Sequence, residues 1–139
     1  MPVFHVDEGS YEVPESWEDS TINIHSVDRA GPGGFSFVVS RESLREGEEL
    51  LDLADRQLAE VERSLDGFEL IEKRQLAIDG KVALEAEFRW RNEAGVTHQR
   101  QAYVPCGAKV LIMTATAMNE LSEEHGAQVT GLLRSFKFR

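Results

Sequence analysis

The chain predicts an α+β fold, an antiparallel sheet of about six to seven strands with two main helices packed on it. Three observations carry that expectation. Several segments alternate apolar with polar residues at period two, separated by turn residues. Residues 48–65 change to apolar spacings of three and four. A second helical segment, opened by good capping residues, closes the chain.

Taking the elements in order, residues 3–6 and 11–13 are short alternating pieces around Asp7, Glu8 and Gly9, an opening hairpin. Pro14 and the polar residues 15–20 lead onward, with Trp17 expected as an anchor. Residues 21–27 and 35–40 then flank the Gly/Pro-rich connection Ala30, Gly31, Pro32, Gly33, Gly34 and read as two antiparallel strands and their loop. The second of these strands has unlike faces. Phe35, Phe37 and Val39 form the bulky one, and Ser36, Val38 and Ser40 the small one.

In the helix at 48–65, Leu51, Ala54, Leu58, Val61 and Leu65 make the apolar stripe with Leu50 beside them. Glu48, Glu49 and Asp52 suit the positive end of its dipole. Gly47 precedes it, and Asp66 with Gly67 is expected to end it. Residues 68–78 read as a strand closed by the Asp79 and Gly80 turn. In Lys81–Asn92, Val82, Leu84, Ala86, Phe88 and Trp90 alternate with Lys81, Glu85, Glu87, Arg89 and Arg91. The turn Glu93, Ala94, Gly95 and the turn Pro105, Cys106, Gly107, Ala108 bound a strand at 96–104. Residues 109–117 are β-rich, and Ser122, Glu123, Glu124 open the last helix, which runs to about Ser135.

With 139 residues the chain fits one domain, 1–139, able to bury a core without disulfide or metal. A hydrophobic share of 41% and a charged share of 29% place it with globular rather than disordered chains. The net charge of −10 repels nucleic-acid phosphate and anionic lipid surfaces. One cysteine excludes an internal disulfide and a thiolate metal cage. The start, MPVFHVDEGSYEVP, lacks the basic-then-apolar order of a secretory signal, and no run of about 18 apolar residues could span a bilayer. A cytosolic location is expected.

Catalytic chemistry finds little support. His5, His25, His98 and His125 fall in separate elements without metal-ligand spacing, and read as surface or sheet-edge residues. Cys106 and His98 could form a thiol–imidazole pair, but a tight turn explains the sequence around Cys106. The glycine-rich connection lacks the lysine and hydroxyl of a phosphate loop, and a strand follows it. Glu85, Glu87, Arg89 and Arg91 read as a solvated, cross-strand-paired face. No cofactor motif occurs. Gln57 and Gln101 read as ordinary surface glutamines, or as amides able to satisfy a guest's polar atoms. Alternation alone makes Ile22 and Ile24 core residues.

At these residues the chain resembles a known family. The run Trp17…Thr21, Ile22, Asn23, Ile24, the strand from Phe35 to Arg41, then Arg56, Gln57, Leu58, then Leu65, Asp66, Gly67, Phe68, and finally Arg100, Gln101, is similar to the Eag chaperones. These are DcrB-like proteins of the PsbP/Mog-type fold associated with type VI secretion effectors. The order and spacing of the motifs across nearly the whole chain carry the likeness. Other DcrB-like proteins carry a lipoprotein signal that is not seen here, which favours the cytosolic chaperone branch.

The resemblance implies a dimeric cytosolic chaperone, neither enzyme nor cofactor binder. Its partner would be the N-terminal transmembrane region of a Rhs- or PAAR-containing effector, held until loading for export. It also implies a groove formed by Ile22, Ile24, Ser36, Val38, Ser40, Gln57, Val61, Leu65 and Gln101, which moves Ile22 and Ile24 out of the core. Leu50, Leu51, Leu58 and Phe37 are then left for the core. Covering such a helix is favourable by about 25 cal/mol per Å² of apolar area, and small serines let a helix backbone approach closely. A carrier of a small apolar ligand or lipid, using the same concavity, is the alternative reading.

Overall fold

The computed structural model describes residues 2–27, 34–93 and 95–139. The elements follow in the order β1 (Val3–Val6), β2 (Gly9–Glu12), β3 (Asn23–Val27), β4 (Phe35–Ser43), α1 (Leu50–Ser64), β5 (Asp66–Ile78), β6 (Lys81–Asn92), β7 (Gly95–Cys106), β8 (Lys109–Met118) and α2 (Glu123–Ser135). The expected α+β architecture is present. β1 and β2 form a separate hairpin, and a six-stranded antiparallel sheet has the order β3-β4-β8-β7-β6-β5. Residues 30–33 of the Gly/Pro connection and Ala94 lie outside the described residues.

Period-two alternation sorts the sheet into two faces, each covered by one helix. Phe35 and Phe37, with Ala83, Ala102, Val104, Met113, Ala115 and Ala117, bury themselves with Val129 and Leu133 of α2. On the reverse, Ala86, Phe88, Tyr103, Val110 and Ile112 pack with Leu53, Ala54 and Leu58 of α1. Ser122 caps α2, its Oγ accepting from the His125 N–H at 3.1 Å. At the start of α1 the Glu49 N–H donates to Asp52 at 3.0 Å, and Glu48 accepts two bonds from Arg56 at 2.9 and 3.0 Å.

The structure corrects several expectations. Leu51 is 53% exposed while Leu53 is fully buried, so the apolar stripe of α1 runs through Leu53 instead. Either leucine fits a three- or four-residue spacing, and only the direction in which α1 meets the sheet separates them. Asp66 and Gly67 do not follow the helix as a turn; they already open β5. Gly67 takes a φ of +62° within an irregularity of the β5–β6 ladder, and a Cβ there would come within 3.1 Å of the Arg91 side chain. A bulge of this kind lets the chain pass from helix to strand without a separate loop. Val82 is 55% exposed, and Trp17, expected as an anchor, is 69% exposed rather than buried.

The largest correction concerns the charged side of β6. Because α2 covers that face, Glu85 is buried at 2% exposure. It accepts from Arg100 at 2.9 and 3.1 Å and from Arg74 at 2.5 Å. Arg100 also donates to the Gly126 carbonyl at 3.0 Å, tying β7 to α2. His98 is buried too, not at a surface or edge. Its Nδ1 accepts from the Leu121 N–H at 2.8 Å, so Nε2 carries the proton and donates to Glu87 at 2.6 Å. Partial burial raises the Glu87 carboxyl, but bonds from Arg74 and His98 outweigh it and hold the group below its ordinary value.

Two outcomes follow for stability. Leu53→Ala should cost about 2–4 kcal/mol in urea unfolding, whereas Leu51→Ala should stay within about 0.5 kcal/mol of the parent. The bonds from the Arg56 side chain and the Arg45 N–H lower Glu48 from 4.5 to about 2, and Glu87 is lowered as well. Depressed carboxylates stabilise the fold above their unfolded value and lose that contribution as pH falls through the folded one. The urea midpoint should therefore drop between pH 4.5 and 2, and Glu48→Gln should flatten that decline.

Candidate functional site

The parity that buries Phe35 and Phe37 under α2 turns Ser36, Val38 and Ser40 to the α1 side. α1 does not cover that side evenly. It starts after Leu44, whose N–H bonds the Ala108 carbonyl beside the start of β8. It ends by leading directly into β5, the edge of the sheet farthest from β3. The diagonal leaves the β3–β4–β8 part of the face open.

Cross-strand register arranges the open residues in rows. Ile24 faces Val38, which faces Thr114, which faces Gln101. The neighbouring row runs Ser26, Ser36, Thr116, Gln99, and the next runs Ser40, Ile112, Tyr103. Ile24, Ser36 and Thr116 also line a depression of about 300 Å³. Ile22 precedes β3 but shares a second depression with Ser40. Ile22 and Ile24 are each 56% exposed, which overturns the reading of them as core that alternation alone suggested. They escape burial because β3 is an edge strand and no helix among the described residues lies over it.

The floor is not uniformly apolar. Trp90 Nε1 donates to Gln99 Oε1 at 2.7 Å, and Gln99 Nε2 donates to Thr116 Oγ1 at 2.9 Å. In parallel, Tyr103 donates its hydroxyl proton to Gln101 Oε1, and Gln101 Nε2 donates to Thr114 Oγ1 at 3.1 Å. Burial, with a smaller contribution from Asp55, pushes the Tyr103 hydroxyl upward, so it remains a donor. Gln101 is thus held in one orientation, with one amide N–H and one acceptor lone pair still to spare. Gln99, Thr114, Thr116 and Trp90 were not singled out from the sequence. In β8 the signal was there, since Thr114 and Thr116 recur at every second position of an otherwise apolar strand, whereas in β7 Gln99 and Gln101 sit within the polar run from Thr97 to Gln101.

The α1 residues divide. Asp55 pairs with Lys73 of β5 at 2.9 Å, so that flank of the helix looks toward β5. Gln57 lies four residues from the buried Leu53, on the opposite flank, and is half-buried. Val61 packs against the core cluster beneath α1. Leu65 is the half-buried C-cap, and its N–H bonds the Val61 carbonyl at 3.0 Å. It leads into β5 and so lies apart from the row of Ile24 and Val38.

The alternative chemistries separate in space. Cys106 is exposed at the end of β7, eight residues and about 26 Å of extended strand from His98. They form no pair. His125 stacks on Phe35 with ring centroids 4.5 Å apart. Among the described residues, no three His, Cys, Asp or Glu side chains are placed to hold a metal. No helix among them is long and apolar enough to cross a membrane.

Comparison with known proteins agrees with the architecture. Residues 8–135 match the family model of DcrB. Effector EagT6 of Pseudomonas aeruginosa is 32% identical over 117 residues, covering 84% of this chain and 81% of that protein. The crystal structure of PA94, a Pseudomonas aeruginosa protein of unknown function, superimposes with a TM-score of 0.85 at 28% identity, covering 100% of this chain and 97% of that one. The solution structure of cyanobacterial PsbP from Synechocystis sp. PCC 6803 gives a TM-score of 0.48 at 16% identity over 89% of this chain and 80% of that one. The chain belongs to the DcrB family.

Proposed function

We propose that this chain is a cytoplasmic chaperone and adaptor for a type VI secretion effector of the Rhs- or PAAR-containing kind. It works as a single domain and a homodimer, binds the effector's N-terminal transmembrane helices, shields them from water and promotes loading for export. It is not an enzyme and uses no cofactor. The relationship to EagT6 supports the association with an effector. The observation that carries the reading is the open sheet face. Ile22 and Ile24 stand exposed beside a strand offering only Ser36, Val38 and Ser40.

Physically, such a face suits an apolar helix. A membrane-spanning segment exposes about 20 apolar residues in water, which is an aggregation hazard. Ile22, Ile24 and Val38 supply apolar area to cover it. Ser36 and Ser40 let its backbone come close. Gln57 and Gln101 offer polar groups to any serine, threonine or free carbonyl the guest presents. Val61, on the underside of α1, and Leu65, at its C-cap, lie apart from the row of Ile24 and Val38 and enter the reading only as a contact for a second helix of the guest on the β5 side.

In this reading, Ile24→Asp and Ser40→Trp fold like the parent, because both sites lie outside the two cores. Each lowers affinity for the effector's apolar N-terminal segment by about tenfold or more, read as loss of co-purification and by titration calorimetry. Binding equal to the parent's in both variants sinks the assignment of this face.

A further inference from the structure

The hairpin of β1 and β2, with the residues that follow it, carries features the groove does not use. Val6, Tyr11 and Trp17 are more than half exposed, and Phe4 stacks on Tyr11 with centroids 6.2 Å apart. Phe4, Tyr11, Val13 and Trp17 line a depression of about 230 Å³. Its other wall, residues 18–21, also bounds the depression of about 390 Å³ that holds Ile22 and Ser40. The aromatic face is therefore continuous with the end of the groove.

This end of the molecule is also strongly acidic. Residues 1–28 contain no lysine or arginine and include Asp7, Glu8, Glu12, Glu15, Glu18 and Asp19; Glu18 and Asp19 line the aromatic depression itself. Among the described residues none of the six forms an ion pair, and only Asp19 is engaged, accepting from the Thr21 N–H at 3.0 Å and from its hydroxyl. Two cations approach. Arg41 is committed to the Thr21 carbonyl and Asn23 at 3.1 and 2.9 Å, and Lys109 lines the far side of the Ser40 depression.

We propose that this aromatic, acidic face is a second docking surface, for a basic stretch flanking the guest's apolar helix. The proposal rests on the groove reading above and names what lies at the groove's end. Apolar membrane-spanning segments are commonly bordered by lysine and arginine. When such a helix lies on Ile22, Ile24 and Ser40, its continuation passes residues 18–21 and meets Trp17 and Tyr11. Indole and phenol faces attract cationic side chains, and the unpaired carboxylates complement their charge. The surface would thus fix which end of the guest lies where, something an apolar groove alone does poorly.

The test uses the full chain and two synthetic Leu/Ala helices of about 20 residues, one bordered by lysines at one end and its twin by serines. The parent should bind the lysine peptide about five- to tenfold more tightly at low ionic strength. The preference should vanish near 1 M salt, where screening acts within about 3 Å. Glu12→Lys with Glu15→Lys, both outside the lining of the Ile22 and Ser40 depression, should abolish the preference while leaving the serine peptide's affinity unchanged, and Trp17→Gln should reduce it. Equal binding of both peptides by the parent overturns the proposal and leaves the groove standing. No binding of either peptide overturns the groove reading and this proposal with it. A change in sedimentation of the variants with no change in peptide preference makes the face a contact between copies of this chain, and also overturns it.

Discussion

Everything distinctive about this chain depends on the register between β4 and β8. Phe35 opposite Ala117, Phe37 opposite Ala115 and Val39 opposite Met113 place the bulky side of β4 over small or flexible partners beneath α2. A slip of one residue would drive Ser36 and Ser40 into that core and the phenylalanines onto the open face. The size difference between the two sets makes the alternative costly. The open face is thus a by-product of burying phenylalanine correctly on the reverse.

That arrangement separates the source of rigidity from the exposed surface. β4 is backed by α2, and α2 is bound to the sheet by more than apolar packing. Arg100 joins Glu85 to the Gly126 carbonyl, and His98 joins Glu87 to the Leu121 N–H. Removing Glu85 leaves the 11% exposed Arg100 side chain without its carboxylate partner, at a cost of about 3–5 kcal/mol. On the open side, the paired Gln–Thr bonds hold β7 against β8 while leaving their small side chains low. The floor is stiffened from behind and flattened in front.

The element pattern was almost entirely legible before the structure, because strong alternation and good turn residues act locally. The bounds of β6, the Ser122 cap and the Asp79–Gly80 turn emerged as expected. What alternation could not convey was what lies over each face. Glu85 has the same local pattern whether a helix covers it or water does, and only the position of α2 decides. The same ignorance put Leu51 rather than Leu53 in the core and made core residues of Ile22 and Ile24. For the open face, sequence pattern reached Ser36, Val38 and Ser40 through their contrast with the phenylalanines. Gln99 went unnoticed because its importance lies in Trp90 and Thr116, which only strand pairing brings alongside.

The pairing of β4 with β8 also sets an order of assembly. Ser43 meets Lys109 and Phe35 meets Ala117, so the strand beneath the open face finds its partner only after β5, β6 and β7 have been made. Such distant pairing is slow relative to local hairpins, and domains are synthesised from the N-terminus. Until β8 emerges from the ribosome, Ile22, Ile24, Phe35 and Phe37 lie exposed together on one short stretch. For that interval the nascent chain presents these four apolar side chains to solvent, and it gains its open face in the same event that hides its phenylalanines.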